Sequence, residues 1–238
     1  MNLDPQTSLA TLVAERPEAM RYFESLGLDY CCGGRQSLAG ACTKAGLDLG
    51  TVVSGLTVLK AGTPDAPSLA QWQAASLADL TRHLEASHHA YLREELPRLA
   101  TLMAKVLGVH GATHAELSRI SQVLQDFTND MMPHLMKEEQ ILFPFIRSLE
   151  EGRNSEACFG TVQSPIRVME MEHEAVGAML AELRLLTQGY EAPADGCGSF
   201  RGLYAGLLAL EQDTHLHIFL ENQILHPRAI AREAALQP

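Results

Sequence analysis

Two stretches of this chain repeat each other around a histidine and a glutamate. From His134 the residues are His-Leu-Met-Lys-Glu-Glu-Gln-Ile-Leu-Phe-Pro, and from His217 they are His-Ile-Phe-Leu-Glu-Asn-Gln-Ile-Leu-His-Pro; six of the eleven positions are identical. His89 and His173 are separated by nearly the same interval as the two copies. A pair of helices is therefore echoed by a second pair, the pattern of a pseudo-two-fold bundle. A histidine and a glutamate four apart lie one turn apart on one helix face, so both can reach a single point. The same face runs on from Glu138 into Ile141, Leu142 and Phe145, and from Glu221 into Ile224 and Leu225. It is thus expected to be the core face, where an imidazole or a carboxylate is costly unless it finds a partner.

Two His/Glu pairs plus one histidine from each remaining helix supply four imidazoles and two carboxylates. That set suits two metal ions bridged by the glutamates, and nitrogen and oxygen ligands without thiolate favour iron over manganese or zinc. A buried His/Glu hydrogen-bond network without metal is the plainer alternative. Spacing leaves His88 and His89 equally eligible, because Leu80, Leu84, Leu92 and Leu96 place His88 on the apolar stripe. His173 shares its face with Met169, Val176 and Leu180. His83, His110, His114, His215 and His226 read as surface, end-of-bundle or neighbouring groups. Pro144 and Pro227, ten residues after each repeat histidine, are expected to kink or end their helices, and Pro133 to disturb a helix at the ligand.

The second chemical feature is Cys31-Cys32, followed by Gly33-Gly34. Adjacent cysteines close only a strained, easily reduced ring. The pair reads either as ordinary thiols or as thiols brought towards a metal or a redox partner. Cys42, Cys158 and Cys197 read as ordinary thiols.

Helices of the right length must carry these residues. Apolar residues recur at helical spacing over about 76–109, 113–150, 165–188 and 198–230, and no segment shows the alternation of a strand. The expected fold is all-α: an up-down four-helix bundle over 76–238, a linker over 61–75, and a small helical module over 1–60. In that module Thr7 or Ser8 caps a helix over 9–16, Pro17 opens a helix ending at Gly27, and Ser37 caps a third.

The 238 residues suffice for such a core without disulfides. With 18 Lys and Arg against 29 Asp and Glu, the chain carries a formal charge of −11, which disfavours nucleic acid and anionic membranes as partners. No basic start with an apolar segment opens the chain, no apolar run has bilayer length, and the cysteine count of five is odd. Those features point to reduced thiols and a cytoplasmic location.

With Asp29-Tyr30-Cys31-Cys32-Gly33-Gly34 leading into a bundle with His-x-x-x-Glu twice, and with the further stretches 92–97, 137–144 and 220–222, the chain resembles the bacterial repair-of-iron-centres family over nearly its whole length. The resemblance implies that the bundle is hemerythrin-like, with a di-iron site held by His89, His134, His173 and His217 and with Glu138 and Glu221 as bridging carboxylates. It favours His89 over His88, and matches Cys31 and Cys32 to the cysteine pair of the family's N-terminal domain. Here His226 precedes Pro227 where the family usually has Phe. The implied role is repair of iron-sulfur clusters after nitrosative or oxidative damage by donating iron, with damaged or apo iron-sulfur proteins as partners and the cysteines assisting transfer or supplying electrons. The alternative is a nitric oxide-binding or nitric oxide-reducing di-iron protein; reversible oxygen binding is set aside because hemerythrins use more histidines. A homodimer through the thin N-terminal module is a further expectation.

Overall fold

The computed structural model describes residues 3–59, 69–153 and 159–236. Cys158 and most of the expected linker lie outside them, and the end of that linker is a short helix, Leu69–Ala74. Nine helices, counting a π turn as part of the rod that contains it, make up the regular structure of the described residues, with no strand among them. Four short helices open the chain: α1 (Leu9–Glu15), α2 (Ala19–Leu26), α3 (Leu38–Ala45) and α4 (Leu49–Val58); α5 is Leu69–Ala74. The Ser8 and Ser37 hydroxyls accept from Thr11 and Gly40 N–H at the starts of α1 and α3. Gly27 and Gly46 close α2 and α3 in the left-handed region, which glycine enters without a side-chain clash. Helix α4, capped by Asp48, was not expected. Its composition, rich in β-branched residues and glycine, is a weak helical signal.

Four long rods form the bundle. Rod α6 runs through Leu77–Leu84, a π turn at Glu85–His89, and Ala90–His110. Rod α7 runs through Glu116–Lys137, a π turn at Glu138–Leu142, and Phe143–Glu150. Rod α8 is Gln163–Leu186. Rod α9 runs through Gly198–Phe219, a π turn at Leu220–Leu225, and His226–Ala234. Each rod packs on the next and α9 returns to α6, closing the ring. The expected apolar stripes face inward, except that Ile141 is half exposed. The π turn beginning at Glu138 shifts the residues after it off a strict 3.6-residue face, so the stripe extrapolated past Glu138 does not hold at that position.

The prolines neither end nor break these rods. The Phe143 N–H donates to the Glu138 carbonyl and the His226 N–H to the Glu221 carbonyl, five residues back. Pro144 and Pro227 then fall in the first turn of the next α segment, where a missing N–H costs little. Rod α7 likewise passes Pro133 without interruption. The repeat also extends further than the motifs. The Glu150 carboxylate accepts from the N–H groups of Leu77 and Ala78 at the start of α6 (2.7 and 2.9 Å). Glu233, at the equivalent place in the second copy, accepts from Val162 N–H at the start of α8 (2.8 Å). A carboxylate there satisfies free N–H groups and complements the helix dipole.

The N-terminal module shares one continuous core with the bundle. Tyr30 is the bolt: its ring lies 6.4 Å from Phe23 and 5.9 Å from Phe219, and its hydroxyl donates to Glu24 (2.9 Å). The loop after it is pressed against its surroundings. A Cβ on Gly34 would stand 2.3 Å from the Tyr30 carbonyl oxygen, a backbone atom with little room to move. Gly34→Ala is therefore expected to destabilise the chain by about 1–3 kcal/mol, the range for overpacking. Urea denaturation measures it, and an unchanged midpoint would contradict the contact.

Candidate metal centre

Three of the four bundle rods carry a π turn, and each of those turns holds a residue of one buried cluster: His89, Glu138 and Glu221. His134, His173 and His217 complete it from the α segments. All six side chains are at most 1% exposed. Their donor atoms form two overlapping groups, His89–Glu138–His217–Glu221 and His134–Glu138–His173–Glu221, each within 4.8 Å. Both glutamates belong to both groups. Glu221 turns one oxygen to His217 (3.0 Å) and the other to His173 (3.1 Å). Glu138 turns a single oxygen to His89 (3.4 Å) and His134 (3.3 Å).

Hydrogen bonds on the far side of the rings aim the nitrogens. His89 Nδ1 meets Glu139 at 2.8 Å, His134 Nδ1 meets Glu172 at 2.9 Å, and His173 Nδ1 meets the Asn222 side-chain oxygen at 2.9 Å. These acceptors hold the proton on Nδ1 and leave Nε2 as a lone pair pointing inward. Arg93 grips Glu139 through two hydrogen bonds of 2.8 Å, and Lys137 pairs with Glu172. Glu139 and Asn222 each follow a glutamate shared by the two donor groups, so the repeat reproduces this support as well as the cluster. His217 Nδ1 has no such partner among the described residues.

The arrangement fits cations better than a hydrogen-bond network. His89 Nε2, both oxygens of Glu138 and one of Glu221 are buried without a hydrogen-bond partner among the described residues. Buried polar atoms are seldom left so, and an ion is one standard cause. His134 Nε2 and His173 Nε2 face each other at 3.1 Å. With both Nδ1 protons directed outward these are two lone pairs. Metal–nitrogen bonds of about 2.0–2.1 Å put two nitrogens on one ion roughly 3.0–3.4 Å apart.

Without an ion, protons must hold the cluster together. Burial opposes charge on His134, yet the Glu138 and Glu172 carboxylates outweigh it and raise this imidazole to about 10. Burial and Glu221 push Glu138 up, and the His134 and His89 contacts more than reverse this, holding it near about 2. Divalent ions would replace those protons; Glu138 and Glu221 supply the uncompensated negative charge, since Glu139 and Glu172 are shared with Arg93 and Lys137.

The neighbours divide clearly. His88 pairs with Asp213 (2.9 Å) and stacks on His217 at 5.5 Å, outside both donor groups. His226 is buried with its ring stacked 6.2 Å from His173, and burial pushes it down to about 4. It stands beside the cluster as a neutral ring. Cys31 and Cys32 are free thiols in the N-terminal module, outside the His/Glu groups. The hydrogen bond to Cys32 and burial push the Cys31 thiol well up. The supporting residues Glu139, Glu172 and Asn222 were missed in the sequence, although each is the immediate neighbour of a residue in the cluster.

An all-α bundle with two His-x-x-x-Glu repeats and a shared dicarboxylate core is a hemerythrin-like cation-binding protein. The family model for the hemerythrin HHE cation binding domain matches residues 65–229, and that for ScdA_N, a domain of unknown function, matches residues 5–60. The chain is 37% identical over 229 residues to the iron-sulfur cluster repair protein YtfE of Musicola paradisiaca, covering 96% of this chain and 98% of that protein. It is 36% identical to the protein of that name from Cronobacter sakazakii, covering 94% and 96%, and 35% identical to that of Escherichia coli O157:H7, covering 94% and 97%. The chain belongs to the YtfE family of hemerythrin-like proteins.

Removing an outer hydrogen bond to a ligating imidazole weakens metal sites about 10–100-fold. Asn222→Ala is expected to lower metal affinity within that range while the bundle stays folded, as read by competition with a chelator. Unchanged affinity would contradict the role given to Asn222. Metal at one hundred times its dissociation constant should also stabilise the chain by about 2.7 kcal/mol, visible as a higher Tm that a chelator reverses.

Proposed function

We propose that this chain repairs iron-sulfur clusters damaged by nitrosative or oxidative stress, by giving up iron held in the bundle. One observation carries this reading: the two overlapping donor groups contain imidazole and carboxylate but no thiolate. The name shared by the relatives, iron-sulfur cluster repair protein, supports the same direction and favours it over nitric oxide reduction. His89 and His217 would hold one ion and His134 and His173 the other, with Glu138 and Glu221 within reach of both. Ferrous iron bound by nitrogen and oxygen is held less tightly than in a thiolate cage and can be surrendered to one.

The protein's own residues set the balance between holding and release. Glu139, Glu172 and Asn222 keep three imidazoles aimed inward, so the cluster is ready before an ion enters. Glu221 spans its two histidines through different oxygens, whereas Glu138 offers one oxygen to both. Glu138 Oε1 thus stays free of both histidines and would be available as an alternative donor atom. The acceptors are iron-sulfur proteins that have lost iron, in the cytoplasm. Among the described residues no helix is long and apolar enough to cross a membrane. The N-terminal module packs part of its apolar side on the bundle through Tyr30 and Phe219, while its Val58 stays exposed.

Iron-loaded protein is expected to restore activity to an apo iron-sulfur enzyme, and Glu138→Ala to abolish that restoration. Equal reactivation by the variant, matched for concentration and checked for helicity, would overturn the reading.

A further inference from the structure

Beside the bundle cluster lies a second group of metal-binding atoms that the His/Glu chemistry does not use. Asp29, Cys31 and Cys32 present a carboxylate oxygen and two sulfurs within 4.8 Å of one another. Cys31 Sγ stands 3.9 Å from Cys32 Sγ and 3.3 Å from Asp29 Oδ1. For metal–sulfur bonds of about 2.3 Å and metal–oxygen bonds of about 2.1 Å, a tetrahedral ion sets these edges at roughly 3.8 and 3.6 Å. Backbone holds the carboxylate in position: the N–H groups of Cys31 and Cys32 donate to Oδ1 and that of Gly33 to Oδ2, at 2.9–3.1 Å.

The surroundings suit an ion that comes and goes. Asp29, Cys31 and Cys32 line a cavity of about 460 Å³ between the N-terminal module and the bundle, with Glu174 and His215 on the facing wall. Three protein ligands and one open position form the pattern of sites that exchange a ligand, whereas closed structural sites use four. Cys32 also lines a small polar pocket with Glu170, Glu174, Asn222 and Gln223. Asn222 is the residue that holds His173 Nδ1, and Gln223 donates to the Cys31 carbonyl (2.8 Å). Cys32 Sγ lies against Gly177, one turn of α8 beyond His173, a rise of about 6 Å along the helix.

We propose that Asp29, Cys31 and Cys32 form a third metal site, which takes one thiophilic divalent transition-metal ion, ferrous iron in use, between the bundle and an acceptor. The position rests on the geometry above; its direction of use rests on the donor reading. Binding exchanges two thiol protons for one ion and transfers no electron. The fourth coordination position faces the cavity, where an acceptor's thiolate can enter and take the ion.

Cobalt(II) added to the reduced full-length protein without oxygen tests this. The expected result is three ions per chain with a near-ultraviolet thiolate-to-cobalt charge-transfer band. Cys32→Ser should then bind two ions and lose most of the band, its retained pair reporting that the fold is intact. Two ions in the wild-type chain with no thiolate band would overturn the proposal, whatever the variant does. The two readings fail separately. A third ion without iron delivery to an acceptor overturns the donor reading and leaves this site, and delivery without a third ion does the reverse.

Discussion

Two carboxylates and four imidazoles, all essentially shut off from water, cannot stand in an apolar bundle without positive charge among them. Glu138 and Glu221 are fully buried, and three of their four oxygens lack a hydrogen bond among the described residues. Uncompensated buried charge costs several kcal/mol per group. Protons on the histidines meet part of that cost, and divalent ions would supply positive charge in their place. The helix geometry and the ring of outer hydrogen bonds both serve this one requirement.

Helix geometry serves it through the π turns. Bringing residues from four rods to one point asks that ligand faces coincide at one level, which uniform helices do only approximately. An extra residue per turn at Glu85–His89, Glu138–Leu142 and Leu220–Leu225 adjusts the faces there. The proline after each of the last two turns stands at the start of a renewed α segment and costs little. The outer partners then hold the rings. Glu139 and Asn222, equivalent in the repeat, differ in charge, so the two halves share geometry while differing in electrostatics.

Much of this was legible in the sequence, for reasons that can be stated. The four rods were visible because apolar residues recur at helical spacing over long spans, and the repeat of His134–Pro144 in His217–Pro227 marked the two-fold relation. The short helices opened by Ser8 and Ser37, and the stop at Gly27, announced themselves through capping chemistry. Other features carried no such signal. Spacing could not separate His88 from His89, because the π turn that contains both redirects the helix face just where the choice is made. Ile141 fell off the stripe for the same reason. Proline was read as a breaker because its place relative to a π turn is invisible in one dimension. Glu150 and Glu233 cap helices more than seventy residues earlier in the chain, and no local pattern reports such a contact.

The N-terminal module and the bundle are joined by packing at Tyr30 and by hydrogen bonds from Asn222 and Gln223 to the Cys31 carbonyl, so a residue that steadies His173 also touches the cysteine loop. Under the proposed function, holding and handing over metal would both depend on one short stretch of α9. The central claim is that the buried cluster holds two ions sharing carboxylate bridges. Mössbauer spectroscopy in an applied field, on protein loaded with iron-57 and then oxidised, tests it most directly. Two irons per chain with a spin-coupled, diamagnetic ground state are predicted. Isolated paramagnetic iron, or a single iron per chain, would contradict the account.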